Sequence, residues 1–108
     1  MSTDIVVRFM TPADLDGVMA VEMDSFSAPW SRSAFEEELT QNNLARYIVA
    51  VADDCIVGYA GTWLVINEAH VTNVAVSGLR REKGIGRLLM DNMMELAREN
   101  HMESMTPE

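Results

Sequence analysis

A basic loop containing two glycines separates an apolar, strand-like segment from an amphipathic helix. Residues 81–86 of this loop read Arg-Glu-Lys-Gly-Ile-Gly. Because Gly84 and Gly86 lack side chains, a ligand can approach backbone N–H groups that have no partner at the start of a helix. The helix dipole favours an anion at the same place. Four cations flank the site: Arg80, Arg81, Lys83 and Arg87. The loop predicts a phosphate site, although an ordinary helix start with a solvated basic turn would give the same pattern.

Apolar residues after the loop recur at helical spacing. They are Ile85, Leu88, Leu89, Met93, Leu96 and Ala97. This spacing places them on one face and predicts a helix over residues 84–100. If that face packs on a sheet, the N-terminus of the helix is held at the rim of the sheet, as an anion site requires.

The rest of the chain predicts a single α+β domain spanning residues 1–108. Alternating apolar residues indicate a first strand at 5–9, and Thr11-Pro12 starts a helix that runs to about residue 26. Ser31 is the expected N-cap of a second helix, which ends near residue 42. Three strands follow, at 46–52, 56–65 and 69–76, with turns at Asp53-Asp54 and Asn67-Glu68. The final residues, 104–108, begin another strand. The expected fold is a mixed, mostly antiparallel sheet flanked by helices.

Composition limits the classes of partner. The net charge is −9 and the pI is about 4.5, which argues against direct nucleic-acid binding and favours a basic protein partner. No apolar run is long enough to span a membrane, and the N-terminus lacks the pattern of a signal peptide, so we expect a cytoplasmic protein. Cys55 is the only cysteine. An internal disulfide and a thiolate metal cluster are therefore excluded.

Three motifs resemble the GCN5-related N-acetyltransferase (GNAT) family. The first is the strand Asn73-Val74-Ala75-Val76 followed by Arg81-x-x-Gly84-x-Gly86 and a helix. The other two, Phe26-x-x-Pro29-Trp30-Ser31 and Glu68-Ala69-His70-Val71-Thr72-Asn73, resemble the bacterial ribosomal-protein-alanine N-acetyltransferases within that family. Two residues depart from the family pattern: Gly78 stands where proline is usual, and Glu82 where a small or basic residue is common.

The resemblance implies a function and a set of site residues. The implied fold is the acyl-CoA N-acyltransferase fold, with acetyl-CoA as co-substrate and no metal. The implied reaction acetylates the N-terminal α-amine of a protein, namely the N-terminal alanine of a small-subunit ribosomal protein. The family pattern assigns Glu108 as the base, although a frayed terminal carboxylate is the alternative. It assigns these cofactor-binding residues: Val74, Ala75, Val76, Arg81, Glu82, Lys83, Gly84, Ile85, Gly86 and Arg87.

The same resemblance predicts a domain that is incomplete at its C-terminus. Family members continue with further strands and a helix, so we expect the last strands and helix of the fold to be missing from this sequence. A second hypothesis follows, in which the chain is a non-catalytic remnant that binds cofactor weakly or acts only as an interaction module. In either case an unpaired sheet edge would favour self-association.

Overall fold

Five strands and three helices build the domain. The computed structural model describes residues 4–78 and 84–107. The strands are β1 (Val6–Phe9), β2 (Ala45–Ala52), β3 (Cys55–Val65), β4 (Glu68–Val76) and β5 (Ser104–Pro107). The helices are α1 (Leu15–Ser25), α2 (Arg32–Thr40) and α3 (Ile85–Glu99), and one 3-10 turn, Pro12–Asp14, leads into α1.

The strands form one sheet in the order β1-β2-β3-β4-β5. The first four pair in antiparallel fashion, whereas β5 runs parallel to β4. This arrangement confirms the predicted mixed, mostly antiparallel sheet, and each predicted strand is found within about one residue of its expected position.

Helices cover both faces of the sheet. One face packs under α1 and α2, and its cluster is Leu15, Val18, Val21, Phe35, Tyr47, Val49, Tyr59 and Ala75. The opposite face packs under α3, where Ile85, Leu89 and Met93 are fully buried against Ile48, Ala50 and Ala60. The predicted apolar face of α3 is therefore confirmed. It fixes the N-terminus of this helix beside the end of β4.

The two hairpin turns differ in how well the sequence predicted them. Asp53 and Asp54 both have positive φ angles, 51° and 64°, as the favoured two-residue hairpin turn requires, so this prediction is confirmed. The second turn was expected at Asn67-Glu68, which is wrong by one residue. Val65 pairs with Glu68, so Ile66 and Asn67 make the turn, and Ile66 takes a φ of 55°.

Polar side chains fix the starts of the first two helices. The Asp14 carboxylate accepts two hydrogen bonds of 2.8 Å from the Arg8 guanidinium and one from the Thr11 N–H. The bonds from Arg8 lower the pKa of Asp14 to about 2. Ser31 is confirmed as the N-cap of α2, since its hydroxyl accepts from the Ala34 N–H at 3.1 Å.

A β-bulge interrupts β4 at its middle. Gly61 pairs with Asn73 and Thr62 with Val71, so Thr72 is an extra residue without a partner on β3. The bulge turns the side chains of both Thr72 and Asn73 toward the face covered by α1 and α2, where they contact Tyr47 and Tyr59. Bulges of this kind often aim side chains into functional sites.

None of the helices within residues 4–78 and 84–107 has the length and apolar character needed to cross a bilayer.

Candidate functional site

The edge of β4 that faces β5 is covered along only part of its length. β5 pairs with β4 from Glu68 to Val71, and within the described residues no strand lies along the edge beyond that point. On the other edge, the Ser77 N–H donates to the Val57 carbonyl at 2.8 Å. Peptide groups alternate in direction along an antiparallel strand. Those of Val74 and Val76 therefore point away from β3, toward the uncovered edge.

A gap of about 400 Å³ opens beside this edge. It lies between the end of α1, the end of β4 and the start of α3. Its lining residues are Asp24, Ser25, Phe26, Val74, Ala75, Val76 and Gly86. We name this space the β4 gap. The structure thus brings four of the predicted cofactor residues together, although Ala75 directs its peptide groups toward β3 and its side chain into the core.

The first turn of α3 borders the β4 gap. Gly84 precedes the helix with a φ of 76°, a left-handed conformation that favours glycine. Ile85 is fully buried and anchors the helix to the sheet, whereas the side chain of Arg87 is exposed. No acidic side chain lies in this turn. The N–H groups at the start of α3 are therefore able to donate to an anion, and the positive end of the helix dipole lies at the same place.

Gly86 has no packing partner that would require a glycine. A Cβ atom added there would meet only the Val76 Cγ2 within 4 Å, at 3.8 Å. Glycine in a helix lowers stability by up to about 1 kcal/mol relative to alanine. None of the described contacts at Gly86 compensates for this loss. The open space above Gly86 suits a ligand that must approach the backbone closely.

Four of the predicted site residues lie outside the described residues. They are Arg81, Glu82, Lys83 and Glu108. Their assignment to cofactor binding and, for Glu108, to base catalysis remains a prediction from the sequence.

A second pocket, of about 310 Å³, adjoins the β4 gap on the side of α1 and α2. Its lining residues are Glu22, Phe26, Ala28, Trp30, Thr72, Asn73 and Val74. It shares Phe26 and Val74 with the β4 gap. We name it the bulge pocket, since Thr72 and Asn73 form part of its wall. Two ligands placed in the two spaces would meet beside Val74.

A buried carboxylate stands in the wall of the bulge pocket. Glu22 is only 2% exposed. One of its oxygens, Oε2, accepts from the Trp30 N–H at 2.8 Å, and the other accepts from the Tyr59 hydroxyl. Asn73 Nδ2 in turn donates to the Tyr59 hydroxyl at 3.1 Å. A continuous chain of hydrogen bonds therefore links the segment between α1 and α2 to the bulge of β4.

Burial raises the pKa of Tyr59 far above its usual value, and the hydrogen bond to Glu22 adds to the shift. The phenol therefore stays protonated and acts as the donor to Glu22. Thr72 Oγ1 donates to Asn73 Oδ1 at 2.7 Å, which fixes the orientation of the Asn73 amide. These residues form a network with defined donors and acceptors.

Sequence reasoning did not find this network. A second acid, Glu38, also enters it, since Glu38 Oε1 accepts from the Tyr47 hydroxyl at 2.9 Å and from Trp63 Nε1 at 2.7 Å. Three consecutive acids at 36–38 form a pattern that is typical of a solvated helix face. Instead, Glu38 turns toward the sheet, where it satisfies two aromatic donors.

At the far end of β4, His70 contacts polar side chains of its own strand and of β5. Its Nε2 lies 3.2 Å from Glu68 Oε2, and its Nδ1 lies 3.4 Å from Thr106 Oγ1 on β5. Cys55 is exposed at the start of β3. Within the described part of the chain, no cluster of acidic, histidine or cysteine side chains is arranged to hold a metal ion.

The sequence and the architecture match a known family. The model of the acetyltransferase (GNAT) family matches residues 15–106. The chain belongs to the GNAT family. A curated GNAT relative from Bacillus subtilis, the putative [ribosomal protein bS18]-alanine N-acetyltransferase, is 36% identical over 99 residues. That match covers 92% of this chain but 66% of the relative. The chain therefore spans slightly less than two thirds of the length of that protein.

Solved GNAT structures share the fold. The ribosomal-protein-S18-alanine N-acetyltransferase from Escherichia coli superimposes with a TM-score of 0.81 at 21% identity, covering 90% of this chain and 61% of that one. The PaiA N-acetyltransferase from Thermoplasma acidophilum, solved in complex with coenzyme A, gives a TM-score of 0.82 at 16% identity, with 92% and 75% covered. At these identities the likeness establishes the fold alone.

Proposed function

We propose that this protein transfers an acetyl group from acetyl-CoA to the N-terminal α-amine of a protein in the cytoplasm. The acceptor we propose is the N-terminal alanine of a small-subunit ribosomal protein. The GNAT membership and the relative named for this activity support the reaction class. The observation that carries the proposal is the β4 gap, in which the uncovered edge of β4 meets the start of α3.

The residues present suit acetyl-CoA. The edge of β4 beyond β5 presents peptide groups at Val74 and Val76 to an extended amide-containing arm, much as an added strand would pair with it. The Val76 carbonyl also accepts from the Ser25 hydroxyl at 3.4 Å. The start of α3 offers N–H groups and a favourable dipole to a pyrophosphate. Gly86 leaves the approach to these N–H groups open. We assign Arg81, Glu82, Lys83, Gly84, Ile85 and Arg87 to the same phosphate site by the family pattern.

Bound acetyl-CoA would supply the acyl group as a thioester. The protein supplies orientation and electrostatic stabilisation. A backbone N–H at the edge of β4 near Val76 can donate to the thioester carbonyl, whose oxygen gains negative charge as the amine attacks. The bulge pocket meets the β4 gap at Val74, and this supports it as the space that the acceptor amine enters.

As the new amide bond forms, the C–S bond of the thioester would break, and coenzyme A would leave as a thiolate that takes up a proton from water. The attacking amine must lose a proton. An α-amine has a pKa of about 7.7–8.0, so a modest base suffices near neutral pH. We propose Glu108 for this role, on the family pattern. The last described residue of β5, Pro107, pairs with Val71, next to the bulge of β4, and this supports the assignment.

Calorimetric titration with acetyl-CoA tests the cofactor site. We expect saturable binding that Gly86→Glu abolishes, because the new carboxylate would occupy the open space at the start of α3 and repel phosphate. Ile66→Glu is the matched control, since it adds the same charge at a turn residue that is 92% exposed and remote from the β4 gap. Equal binding by both variants would contradict the assignment of the gap.

A transfer assay tests the reaction. We expect acetylation of a basic peptide that begins with alanine, and none of the same peptide with its α-amine blocked. Acetylation of the blocked peptide on lysine would refute the α-amine as acceptor. Binding of acetyl-CoA without transfer to any N-terminal peptide would instead favour the non-catalytic hypothesis.

A further inference from the structure

The segment between α1 and α2 borders the bulge pocket but has few contacts of its own. Phe26 is 41% exposed, and residues 27–29 are exposed on the surface. Nothing in this segment forms a helix or strand. Trp30, near the far end of the segment, is half-buried, and its ring packs against Phe35 with 5.3 Å between the ring centroids. The exposed residues 26–29 therefore depend on the contacts that hold the two ends of the segment.

Glu22 provides such a contact. Its buried carboxylate accepts the backbone N–H of Trp30, eight residues later in the chain. The helical backbone at Glu22 holds the near end of the segment as well, since the Phe26 N–H donates to the Glu22 carbonyl at 3.1 Å. One residue thus fixes both ends of the segment.

The other side of the Glu22 carboxylate is tied to the sheet. Tyr59 donates to it from β3 and accepts from Asn73 in the bulge. The distance between the segment and β4, and with it the width of the bulge pocket, is therefore set through Glu22. A carboxylate with this little exposure is costly to bury unless hydrogen bonds compensate, and here both oxygens are used.

We propose that Glu22 is a positioning residue for the acceptor. By holding Trp30 and Tyr59 together, it keeps the segment at the spacing from β4 that an acceptor peptide requires in the bulge pocket. This inference rests on the proposed function, because it needs an acceptor that enters on this side. It concerns acceptor binding, whereas the β4 gap and the start of α3 bind the cofactor independently of it.

The test compares two substitutions of a buried acid by its amide. Glu22→Gln keeps the size of the side chain but places an NH₂ group against one of the two donors. Asp14→Asn makes the same change at an acid that is 8% exposed and bonded to Arg8 and Thr11, away from both spaces. Both variants are expected to lose stability. Only Glu22→Gln is expected to disturb the segment.

We expect Glu22→Gln to raise the KM for the acceptor peptide about tenfold or more, as loss of a hydrogen bond to a charged group would. The KM for acetyl-CoA should stay within about twofold of wild type, because the β4 gap is not altered. Asp14→Asn should leave both KM values unchanged. Hydrogen exchange gives a readout that needs no turnover, with faster exchange at residues 26–31 in Glu22→Gln only.

The outcomes separate this inference from the proposed function. An active wild type with the same acceptor KM in all three proteins would overturn the role of Glu22 alone. Unchanged exchange at residues 26–31 in Glu22→Gln would overturn it as well. A wild type that transfers no acetyl group would overturn the proposed function, and the acceptor-positioning role of Glu22 with it.

Discussion

The backbone N–H of Gly78 donates a hydrogen bond to the carboxylate of Asp24, with 2.7 Å between the nitrogen and Oδ2. Asp24 lies in the last turn of α1, and Gly78 follows the end of β4 by two residues. The GNAT pattern usually has proline at this position, and proline has no N–H to donate. The departure from the pattern therefore permits a contact that fixes where the chain leaves β4 for the loop that we propose binds phosphate.

Asp24→Ala is expected to weaken acetyl-CoA binding by about threefold to tenfold, since it removes an acceptor worth about 1 kcal/mol. Asp24→Asn retains an oxygen acceptor and removes a negative charge near the phosphate site, so its dissociation constant should stay within about twofold of wild type or improve. Calorimetric titration measures both. An equal loss in the two variants would show that the charge of Asp24, rather than its bond to Gly78, supports binding.

Gly86→Ala is expected to change stability and affinity in opposite directions. The added methyl group has room in the protein and removes the helix penalty of glycine, so the free energy of unfolding should rise by up to about 1 kcal/mol. The same methyl group enters the β4 gap. We therefore expect the acetyl-CoA dissociation constant to rise about tenfold or more.

Gly84→Ala is the contrast to Gly86→Ala. An added Cβ meets nothing within 4 Å at this position, but the φ of 76° disfavours any other residue, so the free energy of unfolding should fall by about 1 kcal/mol. Urea unfolding and calorimetry together separate the two glycines. A loss of stability in Gly86→Ala would show that its glycine serves the fold and not a ligand.

The sequence predicted the secondary-structure elements better than it predicted the contacts between them. Strands, helices and the loop glycines follow from local signals, namely apolar periodicity, caps and turn residues. The turn at Ile66-Asn67 was missed because a β-branched residue rarely adopts positive φ. Its position is set by the pairing of Val65 with Glu68, which is a property of the assembled hairpin.

The polar network around Glu22 depends on contacts between distant parts of the chain. Glu22 and Tyr59 are separated by 37 positions, and the bulge that aims Thr72 and Asn73 has no local signature. One feature of the sequence did point to this network. Glu22 follows Leu15 and Val18 at helical spacing, so an acid lay on the buried face of α1. An acid on such a face needs partners, and their identity required the fold.

Gly61 allows the Tyr47 ring to cross β3. A Cβ atom at this position would lie 2.3 Å from Tyr47 Cε2 and 2.7 Å from Asn73 Oδ1. Both contacts are far below van der Waals distance, so Gly61→Ala is expected to lower the free energy of unfolding by about 2–3 kcal/mol. Chemical unfolding of the variant measures the loss.

A double-mutant cycle with Tyr47→Leu tests the cause of that loss. Without the ring, the added methyl group has space. The double variant should therefore lose less unfolding free energy than the sum of the two single losses, by about 1 kcal/mol or more. Strictly additive losses would indicate that Gly61 is required by the strand itself and not by the ring.

Alkaline pH should unfold the domain through its two tyrosines, which are the only ones in the sequence. Burial raises the pKa of both Tyr47 and Tyr59 far above the usual value, and hydrogen bonds to Glu38 and Glu22 add to the shift. In the unfolded chain they ionise near pH ~10. Above that pH the folded state binds more protons than the unfolded state, so stability is intact below about pH 10 and falls as the pH rises further.

Tyrosinate absorbance and circular dichroism, followed together against pH, measure this effect. We expect the two signals to change in one shared transition, because neither phenol can ionise while the network is intact. Tyr59→Phe should remove about half of the tyrosinate amplitude, since one of the two phenols is gone. Tyrosinate absorbance that appears while the circular dichroism is still native would mean that a phenol is accessible to solvent. In that case Tyr59 could not act as the fixed donor through which Glu22 is held to the bulge of β4.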